Sequence, residues 1–524
     1  MRTLEPMHDP VCPPLRLAEA AGVLSLATDL AMGQPLEHGL RTAVLALRTA
    51  QATELPVDDQ VAVFYTGVLH FAGCTAESEI DARFFGDELA ARARMISVAH
   101  GSRLELIATA MRVAHQGSPP LARAAMMARA AFGGVAEFRK WAASHCDVAR
   151  LLGERMGLPG QVQQALGHLY ERWDGNGMPG ELRGTQIPLP VRLMQVAQDA
   201  DVAWQHGGTE LVRSTLAERA GSGLDPEAVR AFLAVGDGLY KDLDAPSIWD
   251  DAMTAEPGPR PVVSGRGLDA CLSAIADFAD LKTMWTAGHS RGVADLAGRA
   301  AVVAGLSAHE VVTLRRAALV HDIGRVAVPV SVWAKPGPLT RGEHEQVRLH
   351  AYHSERVLEA CPGLRPLARL AGSHGERSDG SGYHRGSRAG DLPPAAWLLV
   401  AADCYQAMRE PRAYRPARSV QAAADELGRD AQAGKLPAEA VQAVLTAAGQ
   451  PPRPVPRPAG LSERECEVLG LIARGMATKQ VARQLGISPK TCDHHIQRLY
   501  RKTGLSTRAG ATLFALEHGL IRPD

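Results

Sequence analysis

The feature that most constrains the fold is an internal repeat. ERWDGNGMPGELRGTQIPLP, from Glu171, parallels ERSDGSGYHRGSRAGDLPP, from Glu376. Glu171 and Glu376, Asp174 and Asp379, and His145 and His350 are each 205 residues apart. His38 and His289, and His70 and His321, are each 251 apart. Two offsets that each hold over several landmarks imply a duplication, with 46 additional residues between His70 and His145 of the first copy. The chain must therefore build one fold twice.

Composition says what that fold is made of. Apolar residues make up 46%, with Ala and Leu prominent, and aromatics only 5%. Packed helices suit this better than a β-sandwich or a disordered chain. At 524 residues the chain exceeds one hydrophobic core. Pro/Gly-rich stretches at 256–267 and from 449 divide it into a first block, 1–255, a second, 268–448, a stiff Pro-rich linker, 449–459, and a tail, 460–524. The expected class is all-α, with two tandem helical domains and a C-terminal four-helix domain. Leu296, Ala300 and Val303, then Leu314, Ala317 and Ala318, mark helical stripes.

Lys plus Arg and Asp plus Glu both total 57, which excludes a chain-wide polycation. The eight cysteines include no CxxC pair, so neither a disulfide framework nor a zinc knuckle fits. No run of about 18 uncharged apolar residues occurs, and the first residues carry acids and prolines where a signal peptide is apolar. A cytoplasmic protein without a membrane partner is expected.

The second block contains His289, His321-Asp322, His350, His374 and Asp403, with gaps of 32, 28, 24 and 29 residues. That spacing suits ligands projected from several helices into a bundle core. Adjacent His321 and Asp322 would sit about 100° apart on a helix and serve two neighbouring metals, the carboxylate bridging. Mixed N/O donors suit one or two Fe, Mn or Zn ions.

AALVHDIGRVAVPVSVWAKPGPLT, RLHAYHSERVL, SHGERSDGSGY, LVAADCYQAM and PRAYRPA resemble, in that order, the HD-GYP family of metal-dependent phosphohydrolases over about residues 285–445. The resemblance implies an HD-type helical domain with a metal centre that hydrolyses cyclic di-GMP or a related cyclic dinucleotide. It assigns His289, His321, Asp322, His350, His374 and Asp403 as metal ligands, Asp322 and Arg325 as catalytic, and Arg412 and Arg415 as a phosphate clamp. Three positions depart from the family: Arg325 replaces Lys in HDIGK, Gly375 replaces the second His of HHE, and His384 replaces the Pro of GYP. His353 and His384 are the nearby imidazoles that bear on the loss at 375.

The first block resembles the same family more weakly. There Phe71 stands for the HD aspartate, Leu169-Tyr170 for the HH pair and Gln198 for Asp403. This copy is expected to hold no metal and to serve as a scaffold, a ligand sensor or a dimerising element.

The tail reads as four capped helices. Ser462 and Glu465 form a capping box, and Gly475 ends the first helix. Thr478 starts a second, closed by Gly486. Ser488-Pro489 opens a third that runs to Gly504, and Ser506 opens a fourth that stops at Gly519. On the third, Cys492, Ile496, Leu499 and Tyr500 form an inward stripe, and Lys490, Asp493, His494, Gln497 and Arg501 an outward one. From Val468 to Arg508 eight basic residues face one acid, the local electrostatic footprint of a DNA binder.

LSERECEVLGLIARGMATKQVARQLGISPKTCDHHIQRLYRKTGLSTRAGAT closely resembles the LuxR-type DNA-binding domain. That resemblance puts Lys490, Asp493, His494 and Gln497 at base edges of double-stranded DNA and Thr491, Arg498, Lys502 and Arg508 at phosphates, with Lys479 and Arg501 in the same interface. Asp493 replaces the usual Lys. Binding as a homodimer is expected, through Ala511, Phe514 and Ala515 of the fourth helix. The leading reading is a transcription regulator whose helical body senses or hydrolyses a nucleotide. The alternatives are a phosphodiesterase that the tail merely localises and a non-catalytic nucleotide receptor.

Overall fold

The structure, a computed structural model, describes residues 13–114, 139–449, 459, 461–517 and 520–521. The Pro-rich linker expected at 449–459 and the helix stop at Gly519 lie almost wholly outside the described residues. Helices build nearly everything; the sheet among the described residues pairs Leu15–Arg16 with Val262–Val263. The chain divides into two compact units. One holds Arg16–Val262 and Pro329–Ser331, the other Val263–Val328 and Val332–Asp524 with the first residues.

In the second unit the helix His289–Val303 packs against Ala308–Val320, Pro394–Arg409 and Ala438–Ala448. Buried Ala297, Ala300 and Ala301 against buried Ala317 and Ala318 keep bulky side chains out of these contacts. Leu296 and Ala300 of the expected stripe are buried, whereas Val303, at the helix end, is 46% exposed. Capping boxes at Ser307/Glu310 and Thr340/Glu343 fix two helix starts.

The first unit repeats this plan. His38–Ala52 packs on Val57–Leu69 and on Leu189–Arg219. The residue before each first His is left-handed: Glu37 has φ 70° and Gly288 φ 80°. Each helix start is capped by a buried aspartate, with Gly39 N–H donating to Asp29 Oδ1 (3.1 Å) and Ser290 N–H to Asp280 Oδ2 (2.8 Å). A Cβ at Gly73 would lie 2.1 Å from the His145 carbonyl oxygen, and one at Gly324 2.2 Å from that of His350. Glycine is required at both because the backbones cross in contact. These pairs follow the same two offsets as the sequence repeat.

The Pro/Gly-rich stretch at 256–267 is folded in part. Glu256 is buried and accepts the Tyr65 hydroxyl at 2.7 Å.

Candidate metal centre and nucleic-acid interface

His289 opens one helix, Asp403 lies on Pro394–Arg409, His350 on Arg341–Glu359, and His374 just beyond Arg365–Ala371. His321 and Asp322 do not share a helix as expected. Ala308–Val320 ends before them, His321 is its cap, and Asp322 (φ −99°, ψ 10°) leads into the 3-10 turn Ile323–Ala327. This break turns the two side chains to different neighbours.

The six residues fall into two groups, His289/His321/Asp403 and Asp322/His350/His374, with donor atoms within 4.8 Å of one another in each. Asp322 joins them. Its Oδ1 lies 3.1 Å from His350 Nε2 and 3.5 Å from His374 Nε2; its Oδ2 lies 3.6 Å from Nε2 of both His289 and His321. Asp403 Oδ1 is 3.1 Å from His289 Nε2 and 3.8 Å from His321 Nε2.

The imidazoles are oriented by their far nitrogens. Nδ1 of His321 and of His374 donates to the carbonyl three residues earlier, at 2.7 Å in each case, and Nδ1 of His350 donates to Val347 likewise. Those bonds set the tautomer that presents an Nε2 lone pair to the cluster. His350 and His374 then face each other, Nε2 to Nε2, at 2.7 Å. His321 Nε2 is buried with no hydrogen-bond partner among the described residues. Facing lone pairs and an orphaned buried nitrogen are what a cation satisfies, so these residues fit a metal.

The electrostatics agree. Burial, then the neighbouring His350 and His321, pull His374 down to about 3, leaving it a neutral donor. Burial opposes ionisation of Asp322, but Arg325, His321 and His350 hold its carboxyl well below the usual range. Burial likewise opposes ionisation of Asp403, and the hydrogen bond to His289 together with the neighbouring His321 holds it well below as well. Burial lowers His289, yet Glu410 and Asp403 outweigh it and raise it to about 10. A cation would take the place of that proton.

The departures from the family pattern have definite surroundings. Arg325 Nη1 lies 2.5 Å from Asp322 Oδ2, and its guanidinium stacks 4.5 Å from the Trp333 ring centroid. A Cβ at Gly375 would fall 1.8 Å from a Tyr383 ring carbon, so the tyrosine occupies the space of a side chain there. His353 and His384 lie outside both donor groups, each 5.6–5.8 Å ring to ring from Tyr352. They do not stand in for the missing imidazole.

Arg412 and Arg415 are engaged by the protein rather than held out as a clamp. Arg412 donates to the Trp285 carbonyl (2.7 Å) and Glu410 Oε2 (2.8 Å), and Arg415 to the Ala407 carbonyl (2.6 Å). Sequence reasoning missed Glu410, whose Oε2 lies 2.9 Å from His289 Nδ1. The repeat held the signal, since Asp201 and Gln205 of the first block read as Gln406 and Glu410 in the second.

In the first unit aromatic rings fill the equivalent space. Phe71 lies 3.8 Å from the His70 ring and 5.9 Å from that of His38, and the Tyr170 hydroxyl reaches His145 Nδ1 at 3.1 Å. No group of three metal-donor side chains forms there among the described residues.

The tail folds into Glu463–Ala473, Thr478–Gln484, Pro489–Thr503 and Arg508–Glu517. The Ser462/Glu465 capping box is present, Ser488 caps the third helix, and Gly504 ends it at φ 72°. Thr507, rather than Ser506, caps the fourth, accepting from Gly510 N–H at 3.1 Å. Cys492 and Leu499 are buried, while Lys479, Lys490, Thr491, Asp493, His494, Gln497, Arg498 and Arg501 are exposed.

Three assignments in the tail need correction. Lys502, though exposed, is paired with buried Glu465 at 2.6 Å. Arg508 donates to the Ile472 carbonyl at 2.9 Å and to that of Met476, so both cations hold helices together. Ala511 and Ala515 are fully buried in the domain's own core against Glu463–Ala473, so they offer no dimer surface.

A helical bundle with a histidine- and aspartate-lined cluster, joined to a helix-turn-helix, defines a metal-site protein with a DNA-binding domain. Residues 135–211 and 273–436 match the HD domain family, and residues 459–515 match the bacterial regulatory proteins of the luxR family. HD domains of this kind are metal-dependent, and luxR-family domains bind DNA. The chain is 28% identical over 427 residues to the 3'3'-cGAMP-specific phosphodiesterase 3 of Vibrio cholerae, covering 78% of this chain and 89% of that protein. Over 61 residues it is 41% identical to the transcriptional regulatory protein MctR of Rhizobium johnstonii, 12% of this chain and 28% of that one. The crystal structure of a cyclic GMP-AMP specific phosphodiesterase of V. cholerae matches with a TM-score of 0.59 and 24% identity, over 84% of this chain and 99% of that chain, which shows the fold. No described helix is long and apolar enough to cross a membrane.

Proposed function

We propose that this chain is a transcription regulator whose second HD block, 268–448, hydrolyses a cyclic dinucleotide while the tail, 460–524, binds DNA as a homodimer. The observation that carries the reading is Asp322, which turns one carboxylate oxygen to each of two donor groups. His289, His321 and Asp403 would hold one divalent ion, and His350 and His374 a second, with Asp322 shared; Fe, Mn and Zn all accept such donors. When bound, the metals supply Lewis acidity toward a phosphodiester and a water made acidic enough to attack at neutral pH.

The chain's own residues do the rest. Asp322, kept ionised beside Arg325, adds fixed negative charge between the sites. Arg325, held against Trp333, presents the cation beside the cluster that would meet a phosphate oxygen. Arg412 and Arg415 shape the loop after Asp403 through backbone carbonyls and Glu410. The first block, 1–255, acts as a scaffold with its would-be site filled. In the tail Lys490, Asp493, His494 and Gln497 face bases and Thr491 and Arg498 phosphates.

Gly375, with Tyr383 in its place, favours a second reading in which the nucleotide is bound and sensed without turnover. Incubating the full chain with cyclic di-GMP and with 3'3'-cGAMP, with and without Mn, separates them. Linear product supports the hydrolase, and saturable binding without product supports the sensor.

A further inference from the structure

The two units orient the first histidine of the repeat with the same side-chain types in opposite order. In the first, His38 Nδ1 lies 2.5 Å from Asp201 Oδ2, and Gln205, one turn further on, donates its Nε2 to that oxygen at 2.7 Å. In the second, the glutamine is Gln406 and the acid Glu410. His289 Nδ1 lies 2.9 Å from Glu410 Oε2, and Gln406 Nε2 donates to Glu410 Oε1 at 2.9 Å. Each acid also has an arginine partner, though from different places in the chain: Arg41, on the helix of His38, lies 3.1 Å from Asp201, and Arg412, two residues after the acid, lies 2.8 Å from Glu410. Glutamate is one methylene longer than aspartate, which lets it act from one turn away.

His289 needs such a partner more than the others do. His321, His350 and His374 each anchor Nδ1 on a backbone carbonyl three residues earlier, a bond that survives any side-chain change. His289 is the first residue of its helix, and its Nδ1 partner is a side chain.

We infer that Glu410 is the positioning residue of His289, the acid and its glutamine standing here in the opposite order to Asp201 and Gln205 of the first unit. By holding Nδ1–H, the carboxylate leaves the His289 Nε2 lone pair directed at Asp403 and Asp322, 3.1 and 3.6 Å away. This rests on the proposed metal centre.

The test uses the full-length protein as wild type, E410Q and the reversed pair Q406D/E410Q, which copies the first unit. Mn affinity is read by titration and metal content by elemental analysis, with thermal unfolding as a check on folding. Glu410→Gln should weaken Mn binding about 10- to 100-fold, and the reversed pair should return it to within about threefold of wild type. Wild-type affinity in folded E410Q overturns the inference, as does a folded reversed pair that stays as weak as E410Q. If E410Q does not fold, the reversed pair alone decides, by binding Mn or failing to. A wild-type chain that takes up no metal overturns the metal-centre reading, and this inference with it.

Discussion

The Tyr383 ring occupies the volume beside Gly375, with its backbone N–H donating to the Gly375 carbonyl at 3.1 Å and its ring 1.8 Å from where a Cβ at 375 would stand. The site has thus closed over the position where the HD-GYP pattern carries its second histidine. Gly375→Ala should cost about 1–3 kcal/mol, the range for overpacking a filled core. In a Tyr383→Ala background the same change should cost less, because its obstacle is gone. Equal costs in the two backgrounds, by chemical denaturation, would show that the ring and residue 375 are not coupled.

Asp29 gives a pH dependence that owes nothing to the cluster. Burial raises its carboxyl to about 7 against the favourable His38 and backbone interactions. Between about pH 4 and 7 the unfolded chain releases this proton and the folded chain keeps it, so stability falls as pH rises through that window and levels off above it. His70 and His145, which burial holds at about 3, contribute an opposite slope below about 6.5, so the readout is a difference. Asp29→Asn should gain on wild type by up to about 1.4 kcal/mol per pH unit in that window. A gap between the two unfolding curves that stays constant with pH would refute it.

In the tail, exposed polar side chains should separate into three kinds. Arg498→Ala should weaken DNA binding on all sequences and reduce the salt slope by about 1, as loss of a phosphate contact does. Gln497→Ala should relax sequence discrimination by about 1–3 kcal/mol at one base pair. Lys502→Ala should instead lower the melting temperature, because Glu465 loses its ion pair. Unchanged stability in that variant together with a loss of DNA affinity like that of Arg498→Ala would restore Lys502 to the phosphate contacts.

Asp493 supplies a specificity test. An exposed acid on the outward face of Pro489–Thr503 repels phosphate but accepts from a cytosine amino group. Asp493→Lys should change the preferred sequence in a random-site selection and raise affinity for non-specific DNA. Recovery of the same sequences from both proteins would contradict a base contact at this position.

Much of this was legible in the sequence because the signals were periodic or spaced. The repeat offsets anticipate the paired Gly73/Gly324 and Asp29/Asp280 contacts. The capping residues of the tail define its first and third helices. What was not legible depends on where chains cross. The helix stop at Val320, before His321 and Asp322, is accompanied by the close approach of Gly324 to the His350 carbonyl, a contact between residues far apart in sequence. Arg412, Lys502 and Arg508 looked like free cations because the carbonyls and carboxylates that take them lie 37, 36, 32 or 127 residues away or in a turn of their own making. Ala511 and Ala515 looked like a surface stripe because a small helix buries apolar residues toward its own core and toward a partner with the same spacing.

The central claim is that Asp322 joins two metal sites that act on a cyclic dinucleotide. The most direct measurement is metal content of the purified full-length chain and of Asp322→Ala by elemental analysis, with cyclic di-GMP and 3'3'-cGAMP turnover on the same samples. Two ions per chain with turnover, both lost in the folded variant, is the predicted result. A wild-type chain without metal, or a variant that keeps its metal and activity, would contradict it.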